Sequence, residues 1–491
     1  MTSGSGRVVF SGEREGGPAG SIGSGARGRW GLGRLAAGTT RVVASEDPDS
    51  EFRLARLLYY LGMGFVAAGA LRPIGGLEVS DWFFFASFAI AAGTVVLRRT
   101  RIDPSFSGIF VFGFAVFSVG ALFCLPVALH PLDSMAYFAR FTYTVLVWFA
   151  LGAVVLRNRR QVVIAIAAWI LSVAISGLAA IAQVTWGPLL FASFTSIPLG
   201  EIATGFAGRR VGLSLHPNDL GATSAIALAP AILFAASGTS TATRRYASIG
   251  LLGLVMAGVA LSGSVTAFGA ALASVAIWLV SGRATAKRLF AVAGTLTVAS
   301  IALVLINQRG VSSVLSPIDR LSLTLGLTTT PEATGLARLN LDSLAWNEIA
   351  RNPLYGVGLD TNSIATALGG ISVHNMFLLV WVGAGAFGAL GLLIMVIWLI
   401  GTYLIEYQRS PLPMERALVL ALGTSFVSFL IVTLAQPILF VRYGWVPAAL
   451  LFPVRAIRLR AARAQRPTAL ANGDLGFYGG KAETLINQIP R

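Results

Sequence analysis

The sequence predicts an all-α polytopic membrane protein, with about twelve spanning helices and a large, partly helical loop on the outer side. Three observations predict it. The 491 residues are 55% hydrophobic and only 12% charged, about half the charged fraction of an ordinary soluble domain. Apolar runs of about 20 residues, enough to cross a hydrocarbon core, recur from Leu54 to Val454. Basic residues gather in alternate connections between those runs, which is the pattern of membrane topology. The formal net charge of +16 is explained by those connections, so no nucleic-acid partner is expected.

Taken in chain order, residues 1–52 are rich in Gly, Ser and Arg. They lack the apolar stretch and cleavage pattern of a signal peptide and read as a disordered cytoplasmic tail. Apolar runs at 54–72, 82–97, 108–127, 136–156, 161–185, 214–236, 246–261, 265–281 and 287–306 place spanning helices in the region 53–306. Residues 307–374 form the outer loop, and runs at 375–404, 416–434 and 438–454 complete the bundle in the region 375–455. The remainder, 456–491, is a basic cytoplasmic tail. Cys124 falls inside an apolar run and is expected to be an inert core residue. Three histidines and one cysteine offer no metal cluster, and neither a metal nor a cofactor is expected.

One set of connections carries Arg98, Arg99 and Arg101; Arg157, Arg159 and Arg160; Arg244 and Arg245; Arg283, Lys287 and Arg288; Arg409 and Arg416. The positive-inside rule makes this side cytoplasmic, and both termini fall on it. The other set contains 73–81, 128–135, 186–213, the tight turn Ser262–Ser264, the loop 307–374 and 435–437. Arg209 and Arg210 therefore lie outside, against the charge bias. Arg140 and Arg442 lie within apolar runs near their outer ends, and Arg338 sits in the long loop. An arginine in or beside the membrane is a functional hypothesis; snorkelling to lipid phosphates is the plain alternative for any single one. Together they point to an anionic ligand, with Arg210 the direct contact and Arg209 a snorkelling neighbour.

Loops beyond about 15 residues usually carry function or disorder. In "ARLNLDSLAWNEIARNP", Leu341, Leu344, Ala345 and Ile349 share a stripe at helical spacing, with Trp346 beside it. Pro353 should end that helix near Asn352. The helix would lie on the membrane surface or roof a cavity. In "GISVHNMFLLVW", His374 and Asn375 stand where the loop returns to the membrane. His374 suits general-base work on a hydroxyl, or a hydrogen bond at the interface; Asn375 suits a helix cap. Asp219 stands in the first turn of its helix, where the macrodipole favours an anion. It is read as structural, pairing with Arg210.

The segments "RRVGLSLHPNDLG", "LSGSVTAF", "ARLNLDSLAWNEIARNPLYGVGLD" and "VHNMFLLVWVGAGAFGALGLL" resemble, in order and spacing, the motifs of the O-antigen ligase and polymerase superfamily, from about Arg209 to Leu393. The resemblance implies a GT-C-like fold in the bacterial cytoplasmic (inner) membrane. It also implies transfer of a glycan from an undecaprenyl-diphosphate carrier to an unknown hydroxyl acceptor on the outer side. It makes His374 the base acting on the acceptor, and gives Arg338 and Arg210 the diphosphate, with Asn218, Ser264 and Asn375 in supporting positions. Val265 stands where the family's Ser-Gly-Ser turn continues with arginine, and His216 where it has Asn or another polar residue. Arg140 or Arg442 would substitute for the missing cation, and Arg209 stands beside Arg210 in the diphosphate-binding set. Arginines in a dry site would neutralise the departing diphosphate, without a metal. The alternatives are a repeat-unit polymerase of the same superfamily and, from another class, a transporter of an anionic or lipid-linked substrate. No inverted hydropathy repeat favours the transporter.

Overall fold

Every described element of the computed structural model is helical. The structure describes residues 51–72, 77–98, 106–187, 209–237, 241–281, 334–370 and 373–471, all within one unit, Asp47–Arg491. Residues 1–50 of the expected tail 1–52, the segment 287–306 and residues 307–333 and 472–491 lie outside the described residues; Phe52, at the end of that tail, is buried against the bundle.

In chain order the helices are α1 Arg53–Phe65, α2 Val79–Arg98, α3 Gly108–Phe123, α4 Pro131–Val155, α5 Arg159–Trp186, α6 Pro217–Ala236, α7 Ala242–Ser262 and α8 Val265–Val280. The region 334–370 contributes α9 Thr334–Arg351 and α10 Thr361–Ala367, and α11 Met376–Arg409, α12 Pro413–Thr433 and α13 Arg442–Ala471 follow. Eight of these are long and apolar enough to cross a membrane: α2 to α7, α11 and α12, with α3 continuing to Val127. Each coincides with a segment expected from the sequence, so the chain is a polytopic helical membrane protein. Three further expected segments map to less decisive helices. The 265–281 run is the shorter apolar α8, 54–72 is the 13-residue α1 with the turns after it, and 438–454 spans the start of α13.

Local chemistry sets the boundaries. Asn158 begins α5 with a reciprocal capping box to Gln161. Ser264 begins α8 by accepting from Ala267 N, just after Gly263 turns left-handed at φ 61°. Helix α6 is the most enclosed, with 78% of its apolar window buried against 28% for α2. It therefore forms the centre, and α5, α7, α8 and α12 pack around it.

Helices α3 and α11 approach closely because small residues face each other. A Cβ on Gly391 would lie 2.2 Å from Phe117 N, and one on Gly120 would lie 2.3 Å from Gly388 N. Such small-residue seams let membrane helices gain dispersion contacts across their backbones. Below that seam aromatic rings interlock α3, α4, α11 and α13, with Phe110–Trp398 and Phe149–Phe452 centroids both 5.0 Å apart. Cys124 is fully buried.

Candidate functional site

Ionic contacts collect at two ends of the bundle. At one, Arg159 meets Glu415 at 3.2 Å, and Arg458 meets both oxygens of Glu406 at 2.5 and 2.6 Å. These pairs clamp helix ends. The opposite end holds a cavity of about 280 Å³ with charged and polar groups in its walls.

Those walls come from distant parts of the chain. The turns after α1 supply Val66, Gly69 and Arg72, the connection to α2 supplies Glu78, and α4 supplies Tyr137 and Arg140. Ser214, Leu215 and Asp219 come from the start of α6 and the segment before it. Thr361 and Ile364 come from α10, Leu379 from α11, and Phe440, Val441 and Tyr443 from the α12–α13 junction. Shortly after Arg140, α4 widens into a π turn, Tyr143–Trp148. Such turns change which face of a helix continues past them and recur at functional sites.

Charge is distributed unequally around Glu78. Its Oε2 meets Arg442 Nη1 at 2.5 Å, while Oε1 is shared by Arg72 Nη2 at 3.4 Å and Arg140 Nη2 at 3.8 Å. Arg442 also pairs with Asp81, whose Oδ2 caps the start of α2 by accepting from Glu78 N at 3.0 Å. Three arginines thus face two carboxylates, and the excess is positive. Arg442 is only 3% exposed, whereas Arg72 and Arg140 are 24% and 34% exposed. The two partly exposed cations line the cavity and share a single carboxylate oxygen; Arg72 Nε also donates to Gly69 O at 3.1 Å, and the remaining donors of the pair can meet an anion.

Segment 353–370 is bound into this end rather than draped over it. Asp360 caps α10, accepting from Ser363 N and from the Ser134 hydroxyl of α4, both at 2.7 Å. Burial pushes the Asp360 carboxyl up, but the Ser363 and Ser134 hydrogen bonds outweigh it and hold the group below the usual carboxylate range. Tyr137 and Thr361 hydroxyls meet at 3.0 Å.

A second attachment is to the backbone of α11. That helix breaks at Gly385, φ 67° and ψ −169°, which frees groups that an apolar setting cannot leave unpaired. The loop supplies the partners. Val357 N donates to Val382 O, Gly358 N donates to Gly383 O, and Ala386 N donates to Pro353 O, each at 2.9 Å. The "NPLYGVG" and "VGAGAFG" motifs, separate in the sequence, are one hydrogen-bonded unit.

Arg140 is the one described member of the expected site set that lines the cavity. Arg442 lies behind it as the bracket on Glu78 and Asp81. Arg209 donates from Nε to Ser262 O at 2.7 Å and from Nη2 to the Asn218 carbonyl oxygen, tying the 209–216 segment to the α7–α8 turn. Arg210 donates from Nη1 to Arg209 O at 3.0 Å, and burial lowers its pKa. Asp219 does not pair with Arg210; its Oδ1 accepts from the Tyr443 hydroxyl at 2.8 Å. His216 caps α6, its Nδ1 accepting from Asn218 N. Asn375 caps α11, accepting from Phe377 N and Leu378 N, and His374 directly precedes it outside the cavity wall. Arg338 is on α9, with its side chain outside the described residues. On that helix Leu341, Ala345 and Ile349 are buried as expected, but Leu344 is 44% exposed and Glu348 takes the inner position. Glu348 is held there by Asn352 and Arg351.

Arg72, Glu78, Asp81 and Tyr443 are absent from the expected set. A signal for the acids exists: arginines within apolar runs require anionic partners, and Glu78 and Asp81 stand at the start of an apolar run. Among the described residues, no group of three His, Cys, Asp or Glu side chains is placed to hold a metal. No protein-family model and no curated protein matches the chain.

Proposed function

We propose that this chain is a glycosyltransferase of the O-antigen ligase type. It moves a glycan from an undecaprenyl-diphosphate carrier to a hydroxyl acceptor on the outer side of the bacterial cytoplasmic membrane. The reading includes about twelve crossings in a GT-C-like arrangement, both termini cytoplasmic and the cavity end facing outward. Its supports are the motif resemblance and, above all, one observation. Two partly exposed arginines, Arg72 and Arg140, share one Glu78 oxygen at the wall of a cavity at a bundle end. Such a pair grips a phosphoryl oxygen through its donor forks. It is best placed where negative charge grows as the lipid diphosphate departs. Arg442 fixes Glu78 and thereby the spacing of the pair. The resemblance adds Arg210 and Arg338 as further cations; the acceptor base it implies, His374, stands outside the cavity wall.

The test supplies both substrates without knowing either. Membranes of a strain deleted for this chain retain unconsumed donor and acceptor. Purified wild-type protein in nanodiscs should consume the lipid-linked glycan and release undecaprenyl diphosphate, with EDTA leaving the rate unchanged. Arg140→Ala should slow turnover by about 100-fold or more, the scale of losing one well-placed donor. A donor that persists beside wild-type protein sinks the reading, and an EDTA loss restored by magnesium sinks arginine-only catalysis. In the deletion strain, shortened chains mark a polymerase and unattached chains a ligase.

A further inference from the structure

Of the two acids lining the cavity, one is fully engaged and one is not. Both oxygens of Glu78 are held by arginines. Asp219 takes part in none of the ion pairs among the described residues at this end; its Oδ1 accepts the Tyr443 hydroxyl at 2.8 Å and the residue lines the cavity. Tyr443 is 5% exposed and stands at the start of α13, so its hydroxyl holds Asp219 in one orientation. The carboxyl also accepts a backbone hydrogen bond from His216 at the start of α6, and a carboxylate's remaining lone pairs are left for a hydroxyl.

The other candidates near the cavity are committed. Tyr137 bonds Thr361, His216 Nδ1 accepts from the α6 backbone, and His374 is not in the wall. The charged and titratable groups facing Asp219 are Arg72 and Glu78 beside α1 and α2, Tyr137 and Arg140 on α4, and Tyr443 on α13. His216 stands at the cap of its own helix. Among the described residues, the ends of α5, α7, α8 and α12 packed here carry no charged side chain.

We infer that Asp219 receives the proton of the attacking hydroxyl and that Tyr443 is its positioning residue. The inference rests on the glycosyl-transfer reading. The acceptor oxygen attacks the anomeric carbon as the bond from that carbon to the diphosphate oxygen breaks. The bonding pair leaves with the diphosphate, which stays an anion against Arg72 and Arg140. The hydroxyl proton moves to Asp219 Oδ2 and passes to water after product leaves. A carboxylate held by hydrogen bonds and not in an ion pair keeps more of its basicity, and the first turn of α6 still favours its ionised form between turnovers.

The experiment uses full-length protein in nanodiscs with membranes of the deletion strain, and undecaprenyl diphosphate as the binding probe read by native mass spectrometry. Asp219→Asn should lose turnover about 100-fold or more while binding the probe like wild type. Asp219→Glu should recover part of the rate. Tyr443→Phe should keep measurable turnover but displace the acid limb of the pH–kcat profile toward higher pH. An Asp219→Asn protein with near-wild-type turnover and an unmoved acid limb overturns the assignment. So does one whose probe binding falls in step with its rate. Wild-type protein that leaves the donor unconsumed overturns the transfer reading itself, whereas active wild type beside active Asp219→Asn overturns only the proton assignment.

Discussion

Arg140 and Arg442 look alike in the sequence, each a lone arginine near the outer end of an apolar run. The structure separates them by their partners. Arg442 is 3% exposed and answers two carboxylates; Arg140 is 34% exposed and reaches Glu78 only at 3.8 Å. Removing one member of a buried ionic cluster leaves the others uncompensated, at about 3–5 kcal/mol, whereas a long, half-open pair contributes little. Arg442→Met should therefore lower the unfolding temperature in nanodiscs sharply, and Arg140→Met should leave it near wild type while abolishing undecaprenyl diphosphate binding. Thermal unfolding of the two variants checks this, and a stable Arg442→Met beside an unfolded Arg140→Met reverses the roles. The distinction is not legible in the sequence because Asp81 lies 361 residues from Arg442 in the chain. Proximity of that kind is created by packing, and no local pattern carries it.

Elements are more legible than their junctions. The helix ending before Pro353, the cap at Asn375 and the Ser262–Ser264 turn each follow from one or two residues, and each is present. Leu344 departs from its expected place because spacing alone allows either 344 or 345 inward, and the buried Glu348 with its Asn352 and Arg351 partners selects the face of Leu341 and Ala345. The break in α11 is invisible in the sequence, since "VGAGAFG" reads as a plain glycine-rich membrane helix. Its cause is the loop it receives. Gly385 holds φ 67° and ψ −169°, and a Cβ there would lie 2.0 Å from Leu354 O. That backbone region belongs to glycine, at a cost of about 1–3 kcal/mol for other residues, and the overlap adds about as much again. Gly385→Ala should expel the 353–358 segment from α11. Limited trypsin digestion should then cut at Arg351 faster than in wild type, with a lowered unfolding temperature. A Gly385→Ala protein with unchanged cleavage would show that α11 closes without its loop.

For the molecule as a whole, the strongest sequence signal is alternation: basic residues in every second connection. Arg159–Glu415 and Arg458–Glu406 lie at one end, while the cavity with Arg72, Glu78, Arg140 and Asp219 lies at the other. The two ends therefore differ in kind, one a basic clamp and the other a ligand-sized recess, and function depends on which faces outward. On the proposed reading, the positive-inside bias sets the clamp in the cytoplasm, and a lipid diphosphate on the outer leaflet meets the arginines directly. The single cysteine makes this testable. Cys124 is buried, so native background labelling should be low. Cysteines introduced at Arg351, 75% exposed near the cavity end, and at Leu412, 52% exposed at the clamp end, report opposite sides. In intact cells a membrane-impermeant maleimide should label Arg351→Cys and spare Leu412→Cys until the membrane is opened. The inverse pattern would put the arginine pair in the cytoplasm, where the outward-facing transfer could not occur. The recess would then have to serve a cytoplasmic anion.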